Sequence, residues 1–417
     1  MRIGIVGTGV SGMTAAWLLR DDFDIVLFEA NNYPGGHTHT VDVSAIGASF
    51  AIDTGFIVHN DRTYPNFTRL LERLGVARQP TRMSFSVKCE RTGLEYNGTS
   101  LNALFAQRRN LLRPSFLRMI ADIVRFNRRA LAWLERGGDE ATLDEFLRAG
   151  GYSRAFIEQY IIPMGAAIWS ADPARFTAFP ARAFLRFFRN HGLLQVRNRP
   201  QWFSIVGGSR SYMEVMARPL RDRLRLNAPV QSVRRRADGG VELVARGLAA
   251  PERFDQVLIA THSDQALALR GADATERERD ILGAIVYQPN DVALHTDTRL
   301  LPRCRRAWAA WNYHIPPQPA GRATVTYDMN ILQRLEAPET FCVTLNRRDR
   351  IAPERILGEF VYEHPVFDAA ALRAQQRRSE ISGAGGIHYC GAYWGYGFHE
   401  DGVRSALDVA TVFGKGL

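Results

Sequence analysis

The sequence predicts an α/β fold organised around a nucleotide-binding unit. The N-terminal stretch MRIGIVGTGVSGMTAAWLLRDDFDIVLFEA places a GxGxxG motif between a short apolar run and a helix-like segment. A second apolar run follows and ends at an acidic residue, Glu29. Glycine-rich turns beside apolar runs recur in the middle of the chain and near its end. These three observations predict a nucleotide site assembled from distant segments.

The first element is a buried strand at residues 3–6, because its side chains are nearly all apolar. Gly7, Gly9 and Gly12 follow it. They allow a tight turn, close approach of a pyrophosphate and close packing of the next helix. Residues 13–20 continue as that helix, so its N-terminal amides and its dipole would face the phosphates.

The second strand, residues 25–28, ends at Glu29, whose carboxylate is placed to accept hydrogen bonds from ribose hydroxyls. An acidic residue at this position repels a 2′-phosphate, which disfavours NADP. A glycine-rich turn in an unrelated α/β protein is the alternative interpretation of GxGxxG. The strand–turn–helix–strand context favours the dinucleotide site.

The composition is that of a folded protein with more than one core. At 417 residues the chain can form two or three domains, or two interleaved ones. No uninterrupted apolar run approaches ~18 residues, and the first strand begins so early that we expect no export signal. The four cysteines lack CxxC spacing, which predicts no metal site or disulfide framework and favours the cytoplasm: Cys89, Cys304, Cys342 and Cys390.

The formal charge of +10 comes from arginine, since only Lys88 and Lys415 among the 53 basic residues are lysines. No nucleic-acid-binding motif accompanies this charge, so we expect no nucleic-acid partner. An anionic membrane surface or an acidic lipid is the more interesting partner.

Later segments extend the nucleotide-binding unit. Gly35 and Gly36 would bring a second backbone turn to the pyrophosphate, and Asp53-Thr54-Gly55 then breaks a strand ahead of an amphipathic helix at 64–74. Residues 202–224 form a Gly-Gly turn and a helix, followed by two alternating strands around an Ala-Asp-Gly-Gly turn. Residues 254–263 form a further strand, and 385–413 form a strand, a glycine- and aromatic-rich loop and a helix.

In this order and spacing, these motifs resemble the superfamily of flavin-containing amine oxidases, protoporphyrinogen oxidases and phytoene desaturases. The resemblance implies non-covalent FAD in a glutathione-reductase-like Rossmann domain, interleaved with an α+β substrate domain. Asn31 and His37 stand where the family usually has arginines, so the turn amides would contribute more to phosphate binding. The cofactor contacts that the resemblance implies are Gly7, Gly9, Val10, Ser11, Gly12, Glu29, Ala30, Gly36, His37, Thr38, Gly55, Phe56, Ile57, Val230, Gly391, Gly402 and Val403.

The C-terminal segment favours FAD over NAD, because a simple NAD dehydrogenase does not need this distant return to the nucleotide. The resemblance implies that Gly391 lies near the pyrophosphate or ribityl chain, and Gly402 and Val403 near the flavin pyrimidine. A helix N-terminus there would stabilise the negative charge of reduced flavin. The backbone of Val230 would contact adenine.

The remaining segments form the predicted substrate domain, residues 76–199 and 264–384, and the FAD domain takes 1–75, 200–263 and 385–417. Residues 113–136 and 156–199 carry apolar side chains at helical spacing with arginines between them. These stripes indicate the core of a helical layer. The alternative is a basic amphipathic face that docks on a membrane and admits a lipid, and both can hold on opposite faces of one helix.

The family's amine oxidases keep a lysine near flavin N5, which neither lysine of this chain matches in position. Phe398 stands where those enzymes carry an aromatic-cage tyrosine. A substrate without an amine suits these replacements better. Our candidates for proton handling or substrate positioning are His399, His59 and Tyr396, because a histidine titrates near neutral pH; a structural or flavin-tuning role is the alternative for each.

Within the superfamily, the motifs GTGVSG, PGGHTHTVDV, DTGFIVHN and GYGFHEDG resemble bacterial FAD-dependent oxidoreductases associated with cyclopropane or methylated fatty-acid synthesis. The resemblance implies a dehydrogenase or desaturase that moves a hydride from an unsaturated or methylated acyl chain to flavin N5. An amine oxidase, a carotenoid- or porphyrin-type oxidoreductase and a non-catalytic flavin-binding accessory protein are the alternatives. We expect a cytoplasmic protein with a lipid or other apolar substrate; peripheral membrane contact and a homodimer remain open.

Overall fold

The protein is described here by a computed structural model that covers residues 1–45, 47–137, 141–195, 198–318 and 321–417. The strands in this part of the chain are β1 Arg2–Val6, β2 Asp24–Phe28, β3 Thr40–Ala45, β4 Ala48–Asp53, β5 Val58–Asn60, β6 Arg78–Thr81, β7 Phe85–Cys89, β8 Leu94–Asn97, β9 Trp202–Ile205, β10 Leu224–Arg225, β11 Val230–Arg235, β12 Val241–Ala245, β13 Glu252–Phe254, β14 Gln256–Ile259, β15 Val286–His295, β16 Trp311–Ile315, β17 Val325–Asp328, β18 Cys342–Leu345, β19 Ile356–Val366 and β20 Ile387–Tyr389.

The α-helices are α1 Val10–Leu19, α2 Pro65–Leu74, α3 Leu101–Leu104, α4 Pro114–Arg136, α5 Leu143–Gly150, α6 Arg154–Phe156, α7 Ile162–Trp169, α8 Ala181–Asn190, α9 Arg210–Ala217, α10 Ser263–Arg270, α11 Glu276–Gly283, α12 Met329–Leu332, α13 Ala369–Gln376 and α14 His399–Val412. One π-helical turn, Ile157–Ile161, joins α6 to α7. The fold is therefore mixed α/β, as the sequence predicts.

A parallel sheet of five strands, in the order β10-β2-β1-β14-β20, holds the first strand at its centre. Ile5 on β1 lies opposite Leu27 on β2 and Leu258 on β14, and all three side chains are fully buried. Both faces are covered, which explains the continuously apolar strand. This order brings the last strand of the chain next to strands from its start and middle.

Helix α1 begins at Val10, three residues before the start that the sequence predicts, because Gly9 is extended and its carbonyl already accepts the amide of Met13. Nine of its ten residues are buried. It packs against α14 on one side and α9 on another. The glycine motif is thus enclosed by helices from three distant parts of the sequence.

A second sheet has seven strands in the order β19-β15-β18-β17-β16-β7-β8. Its pairs are antiparallel except β7 and β16, which run parallel with Val87 opposite Tyr313. The sheet combines residues 85–97 with residues 286–366, so two separate parts of the predicted substrate domain meet in it. The division into domains stays a prediction, since β6, from the predicted substrate domain, pairs with β9 of the predicted FAD domain.

Helices α4 to α8 form the layer predicted from the apolar stripes. On α4, Phe116, Phe126 and Ala130 are buried, so one face of the stripe is core. Residues Phe156 and Phe184 are fully buried as well. Helix α4 starts at Pro114, and the missing amide of proline costs nothing there because the first amides of a helix have no intrahelical partner. The core interpretation therefore holds for the inner face of α4.

Candidate functional site

The GxGxxG turn leads from β1 into α1, and backbone atoms pack closely against it on one side. Gly7 has φ of +92°, a backbone conformation that favours glycine. A Cβ on Gly12 would lie 1.9 Å from the carbonyl oxygen of Gly7. A Cβ on Gly9, in contrast, would meet no atom within 4 Å. Gly7 and Gly12 thus close the turn, while Gly9 faces open space at the N-terminus of a helix.

A second glycine turn lies against the first. Gly9 and Gly35 form an isolated parallel bridge. Gly36 has φ of +57°, and a Cβ on it would lie 3.4 Å from the Cα of Gly9. Two turns without side chains therefore meet at the start of α1, where backbone amides and the helix dipole favour an anion.

Glu29 follows β2, and its side chain is buried at the rim of this cradle. One carboxylate oxygen accepts the backbone amide of Thr8 at 3.0 Å, and the other accepts the backbone amide of Asn31 at 2.9 Å. Ala30 is exposed beside it, and Val230 begins the strand that follows Ala228, whose amide donates to the Glu29 carbonyl at 2.8 Å. The acidic side chain is thus held by the glycine turn after β1 and by the residues that follow Glu29.

The histidine at the arginine position of the family lies in a group of aromatic and imidazole rings. The centroid of the His37 ring lies 5.1 Å from Tyr362, 5.6 Å from His262 and 5.7 Å from His364. Burial, aided by His364 and His262, lowers the pKa of His37 well below its usual value. A neutral imidazole supplies no fixed charge for a diphosphate, so the turn amides must supply most of the attraction.

The Gly55 loop is fixed to the second glycine turn. A Cβ on Gly55 would lie 2.1 Å from the carbonyl oxygen of His37. The backbone amide of Phe56 donates to the same oxygen at 2.9 Å. The Phe56 ring then stacks on His399, with centroids 3.5 Å apart and planes 11° apart, and Ile57 is buried behind the loop. The loop therefore connects the second glycine turn, at Gly35 and Gly36, to the start of α14.

His399 is the first residue of α14 and lies in a buried polar network. Its Nε2 atom lies 2.9 Å from the Tyr212 hydroxyl and 3.1 Å from the Thr38 hydroxyl, which are 2.8 Å from each other. Burial, with a contribution from His59, lowers the pKa of His399 well below its usual value. The imidazole is therefore neutral near pH 7 and is held by three elements.

The C-terminal glycines pack this segment against the first helix. A Cβ on Gly402 would lie 2.6 Å from the Val10 side chain and 3.0 Å from the Ser11 hydroxyl oxygen. The amide of Gly391 donates to the Ser405 hydroxyl at 2.8 Å. Val403 is fully buried in the same turn. The two helix N-termini, those of α1 and α14, are thus adjacent.

Two carboxylates fix the start of α14. Asp401 accepts the backbone amides of Tyr396 at 2.9 Å and Phe398 at 3.1 Å. Glu400 accepts the backbone amides of Asn66 at 3.2 Å and Phe67 at 3.0 Å in the first turn of α2. Burial raises the pKa of both carboxyls. The helix start is thereby tied to its own loop and to α2.

His59 is fully buried, and among the described residues neither of its ring nitrogens has a hydrogen-bond partner. Its ring lies 5.2 Å from Phe67, which also contacts His399 at 5.5 Å. Burial is the main cause that lowers the pKa of His59 to about 4. Tyr396 lies in the loop before α14, with its ring 5.5 Å from Phe187. His59 is thus a buried group with unused hydrogen-bonding capacity.

These features fit FAD. Glycine turns with free space at Gly9 can take a diphosphate, Glu29 lies where a ribose would follow, and the start of α14, on which Phe56 stacks, offers helix amides to a flavin. When bound, FAD would supply a hydride acceptor that no side chain can provide. The described residues contain no group of three or more His, Cys, Asp or Glu side chains able to hold a metal ion.

Sequence reasoning missed the residues that join these pieces. Tyr212 carries no motif of its own, and Asp53 is the acceptor at the centre of a second network. Asp53 accepts the Thr40 hydroxyl at 2.6 Å and the Ser209 amide at 2.8 Å. The side chain of Gln333 donates to it at 3.1 Å. A polar residue directly before the Gly55 loop was the available signal.

Comparison with known proteins also indicates a flavin cofactor. The sequence model of the family described as flavin containing amine oxidoreductase matches residues 10–310. Among curated proteins, none matches the sequence. Cyclohexylamine oxidase from Brevibacterium oxydans IH-35A is similar in structure at 16% identity, with a TM-score of 0.68 over 99% of this chain and 98% of that one.

Two further solved structures match over 99% of this chain and 98% of their own. A proposed protoporphyrinogen oxidase from Exiguobacterium sp. 255-15 is 19% identical, with a TM-score of 0.68. A CLA-producing fatty acid isomerase from P. acnes is 16% identical, with a TM-score of 0.70. At these identities the likeness is one of fold, and it confirms the architecture that the sequence predicts.

Proposed function

Because the chain belongs to the flavin-containing amine oxidoreductase family and is thus an FAD-dependent oxidoreductase, we propose that its substrate is an apolar lipid. The proposed reaction is dehydrogenation or desaturation of an unsaturated or methylated fatty acyl chain. FAD would accept the hydride at N5. The protein must then hold the acyl chain, exclude water and accept a proton.

The position of the two lysines carries this proposal. Lys88 lies on β7 and donates to the carbonyl oxygens of Arg299 at 2.8 Å and Leu301 at 2.9 Å. Lys415 pairs with Asp22 at 2.6 Å near the C-terminus. Both ammonium groups are engaged away from the start of α14. The chain therefore lacks the lysine that the resemblance associates with amine oxidation.

Aromatic rings cover the start of α14 where an amine oxidase has its cage. The Phe398 ring stacks on Phe187 at 5.2 Å, and Phe187 stacks on His191 at 3.8 Å. Burial lowers the pKa of His191 to about 4, so this imidazole is neutral near pH 7. Phe398 lacks the hydroxyl of the cage tyrosine, so the rings at this position present an apolar surface against which a hydrocarbon chain can pack.

We assign different roles to the two buried histidines. The Nε2 atom of His399 is engaged by Thr38 and Tyr212, so His399 positions the loop and helix that would border the flavin. No described residue occupies the His59 nitrogens, and burial keeps this imidazole neutral near pH 7, so His59 is our candidate for a weak acceptor of the substrate proton. The fold itself accommodates fatty acids in one case, since one structural neighbour is named a fatty acid isomerase.

The test is anaerobic reduction of the FAD-loaded protein, followed by flavin absorbance. Phospholipids with unsaturated or methylated acyl chains should bleach the flavin, and the matched saturated, unbranched phospholipid should not. Cyclohexylamine and putrescine serve as the amine arm. Bleaching by an amine and by no lipid would contradict the proposal and favour amine oxidation, which the family and two of its neighbours make the second candidate.

A third outcome would contradict both enzyme assignments. Flavin that stays oxidised with every lipid and amine, in protein that reduces normally with dithionite, would favour a non-catalytic flavin-binding role.

A further inference from the structure

An exposed apolar strip follows strand β8 in the chain, and the proposed reaction does not involve it. Leu101 begins α3, Leu111 and Leu112 end a 3-10 helix, and Leu117 lies in the first turns of α4. Their exposed fractions are 76%, 50%, 88% and 43%. Leaving four leucines in water is unfavourable unless they contact a partner.

The strip continues along α4 and is held together at its start. Ala121 and Val124 lie four and seven residues after Leu117, so the three share one helix face, and all are exposed. Arg108 ties the 3-10 helix to α3, because its guanidinium donates to the Asn102 side chain at 2.6 Å. We call residues 101–129 with these exposed side chains the leucine–arginine surface.

Positive charges surround the leucines, and few acidic residues neutralise them. Residues 101–129 hold seven arginines and a single acidic residue, Asp122. The Asp122 side chain is buried and accepts the Ser153 amide at 2.9 Å and the Arg125 guanidinium at 2.9 Å. The surface therefore presents exposed leucines among cations, with its one carboxylate turned inward.

The arginines nearest the leucines bind backbone oxygens instead of acids. Arg108 donates to the Phe105 carbonyl at 2.9 Å, Arg109 to the Gly93 carbonyl at 2.9 Å, and Arg113 to the Thr92 carbonyl at 3.2 Å. Within the described ranges, none of the three forms a salt bridge. Their charges are thus fixed in position and free to meet external anions.

We propose that the leucine–arginine surface docks the protein on a bilayer that contains anionic phospholipids. Lipid phosphates would neutralise the arginines, and the acyl region would take the leucines. A nucleic acid would offer the phosphates without an apolar phase for Leu112. None of the helices within the described ranges combines the length and apolar character that crossing a bilayer requires. The docking that we propose uses only the exposed side chains of this surface.

The surface is linked to the candidate site through the helical layer. Helix α4 packs against α8, and α8 carries Phe187, which stacks on Phe398 at the start of α14. A bilayer at α4 would therefore lie on the layer that covers the flavin-facing helix. The docking itself does not depend on which substrate is oxidised, so it can fail or hold independently of the proposed reaction.

Vesicle flotation of the FAD-loaded full-length protein tests this proposal. We expect binding to vesicles that contain phosphatidylcholine and phosphatidylglycerol in equal amounts, and weak binding to vesicles of phosphatidylcholine alone. The double variant Leu111→Ser/Leu112→Ser should bind at least about tenfold more weakly. The double variant Arg108→Gln/Arg109→Gln should bind the anionic vesicles about tenfold or more weakly, and its binding should depend less on salt.

The matched control is Val286→Ser/Val361→Ser, which removes two valines that are 60% and 63% exposed on the seven-stranded sheet. It should bind vesicles like the unchanged protein. Flavin absorbance and thermal melting confirm that each variant is folded. Equal binding to both vesicle types, unchanged binding of the leucine double variant, or binding of a single-stranded oligonucleotide but no vesicle would each overturn the proposal.

Discussion

At the residue scale, Gly9 and Gly12 stand three positions apart in one motif but in opposite surroundings. A methyl group at Gly12 would collide with the backbone of Gly7, whereas one at Gly9 would enter empty space. The requirement for glycine at position 12 is therefore imposed by the protein itself. The fold leaves position 9 open, so we expect a glycine there to serve a ligand that approaches the helix.

This difference predicts two separable phenotypes. Gly12→Ala should lower the free energy of unfolding of the apoprotein by about 1–3 kcal/mol, because a backbone contact must shift. Gly9→Ala should leave apoprotein stability nearly unchanged and weaken FAD binding by more than about tenfold, since the methyl group occupies the diphosphate space. Chemical denaturation and FAD titration measure the two effects. Gly98→Ala, where a Cβ meets nothing within 4 Å, is the control.

The two buried histidines also differ at this scale. His59→Phe should leave the free energy of unfolding unchanged or raise it by about 1–2 kcal/mol, because an unpartnered buried imidazole is removed. His399→Phe should lower it by about 1–3 kcal/mol, because the Thr38 and Tyr212 hydroxyls lose a partner. Denaturation of the FAD-free proteins measures this. A large loss of stability in His59→Phe would show that His59 has a partner of its own.

Local motifs of residues were predictable, and their distant partners were not. The roles of Gly7, Gly12 and Glu29 were predictable because they depend on the steric and electrostatic requirements of the GxGxxG turn and of the strand end near it. Both are visible in the sequence. The contact of Tyr212 with His399 spans 187 residues, and that of Asp53 with Gln333 spans 280. Such pairs depend on how sheets and helices pack, and no local sequence pattern encodes that packing.

At the element scale, the start of α14 is positioned by side chains and not by its own propensity alone. Glu400 occupies a position that serves two helices, since its carboxylate accepts amides from the first turn of α2. Four amides at a helix start lack intrahelical partners, so an external acceptor stabilises α2. The orientation of α14 is thereby linked to a helix more than 300 residues earlier in the chain.

Removing this acceptor should affect both helices. Glu400→Ala should lower the free energy of unfolding by about 1–2 kcal/mol, as for loss of a helix cap, and should also weaken FAD binding because α14 is less fixed. Glu400→Gln keeps one acceptor oxygen and should lose less. Glu72→Ala, an exposed position on α2, is the control. Thermal melting and FAD titration report the outcome, and equal stability of Glu400→Ala and Glu72→Ala would refute this role.

Elements with strong local signals matched their predicted positions, as α4 and α14 illustrate. The strand order of the seven-stranded sheet, in contrast, could not be predicted from the sequence. Its strands β7 and β16 lie more than 200 residues apart and pair in parallel. Alternating patterns indicate strands but do not specify which strand pairs with which.

At the scale of the whole molecule, Asp53 joins three separate segments through Thr40, Ser209 and Gln333. Burial raises its pKa from 3.8 to about 6, and the hydrogen bonds from Thr40 and Ser209 offset part of that effect. A carboxyl with a raised pKa in the folded state stabilises the fold when protonated. That contribution is complete below about pH 4 and is lost as the pH rises through 6.

The expected pH effect appears in a comparison with Asp53→Asn, which cannot titrate there. From pH 4 to pH 7 the free energy of unfolding of the unchanged protein should fall by about 2–3 kcal/mol relative to the variant. Urea denaturation at several pH values measures this difference. A difference that stays constant with pH would mean that Asp53 titrates normally.

FAD should hold the same distant segments together. At a free concentration 100 times its Kd, the cofactor should raise the free energy of unfolding by about 2.7 kcal/mol. ADP, which reaches only the Gly9 and Glu29 end, should bind more weakly and raise it less at equal concentration. Differential scanning fluorimetry of the apoprotein with each ligand tests this, and Gly9→Ala should respond less than the unchanged protein to either, with at most about 1.4 kcal/mol from FAD at the same concentration.

The order of strands in the five-stranded sheet has a consequence for biosynthesis. Its edge strand β20 begins at Ile387, and its central strand ends at Val6. A ribosome that has made the first 300 residues has released neither β20 nor α14, and β19 of the other sheet is also still missing. Neither sheet can therefore be completed early in synthesis, since the seven-stranded sheet needs β19 and the five-stranded sheet needs β20.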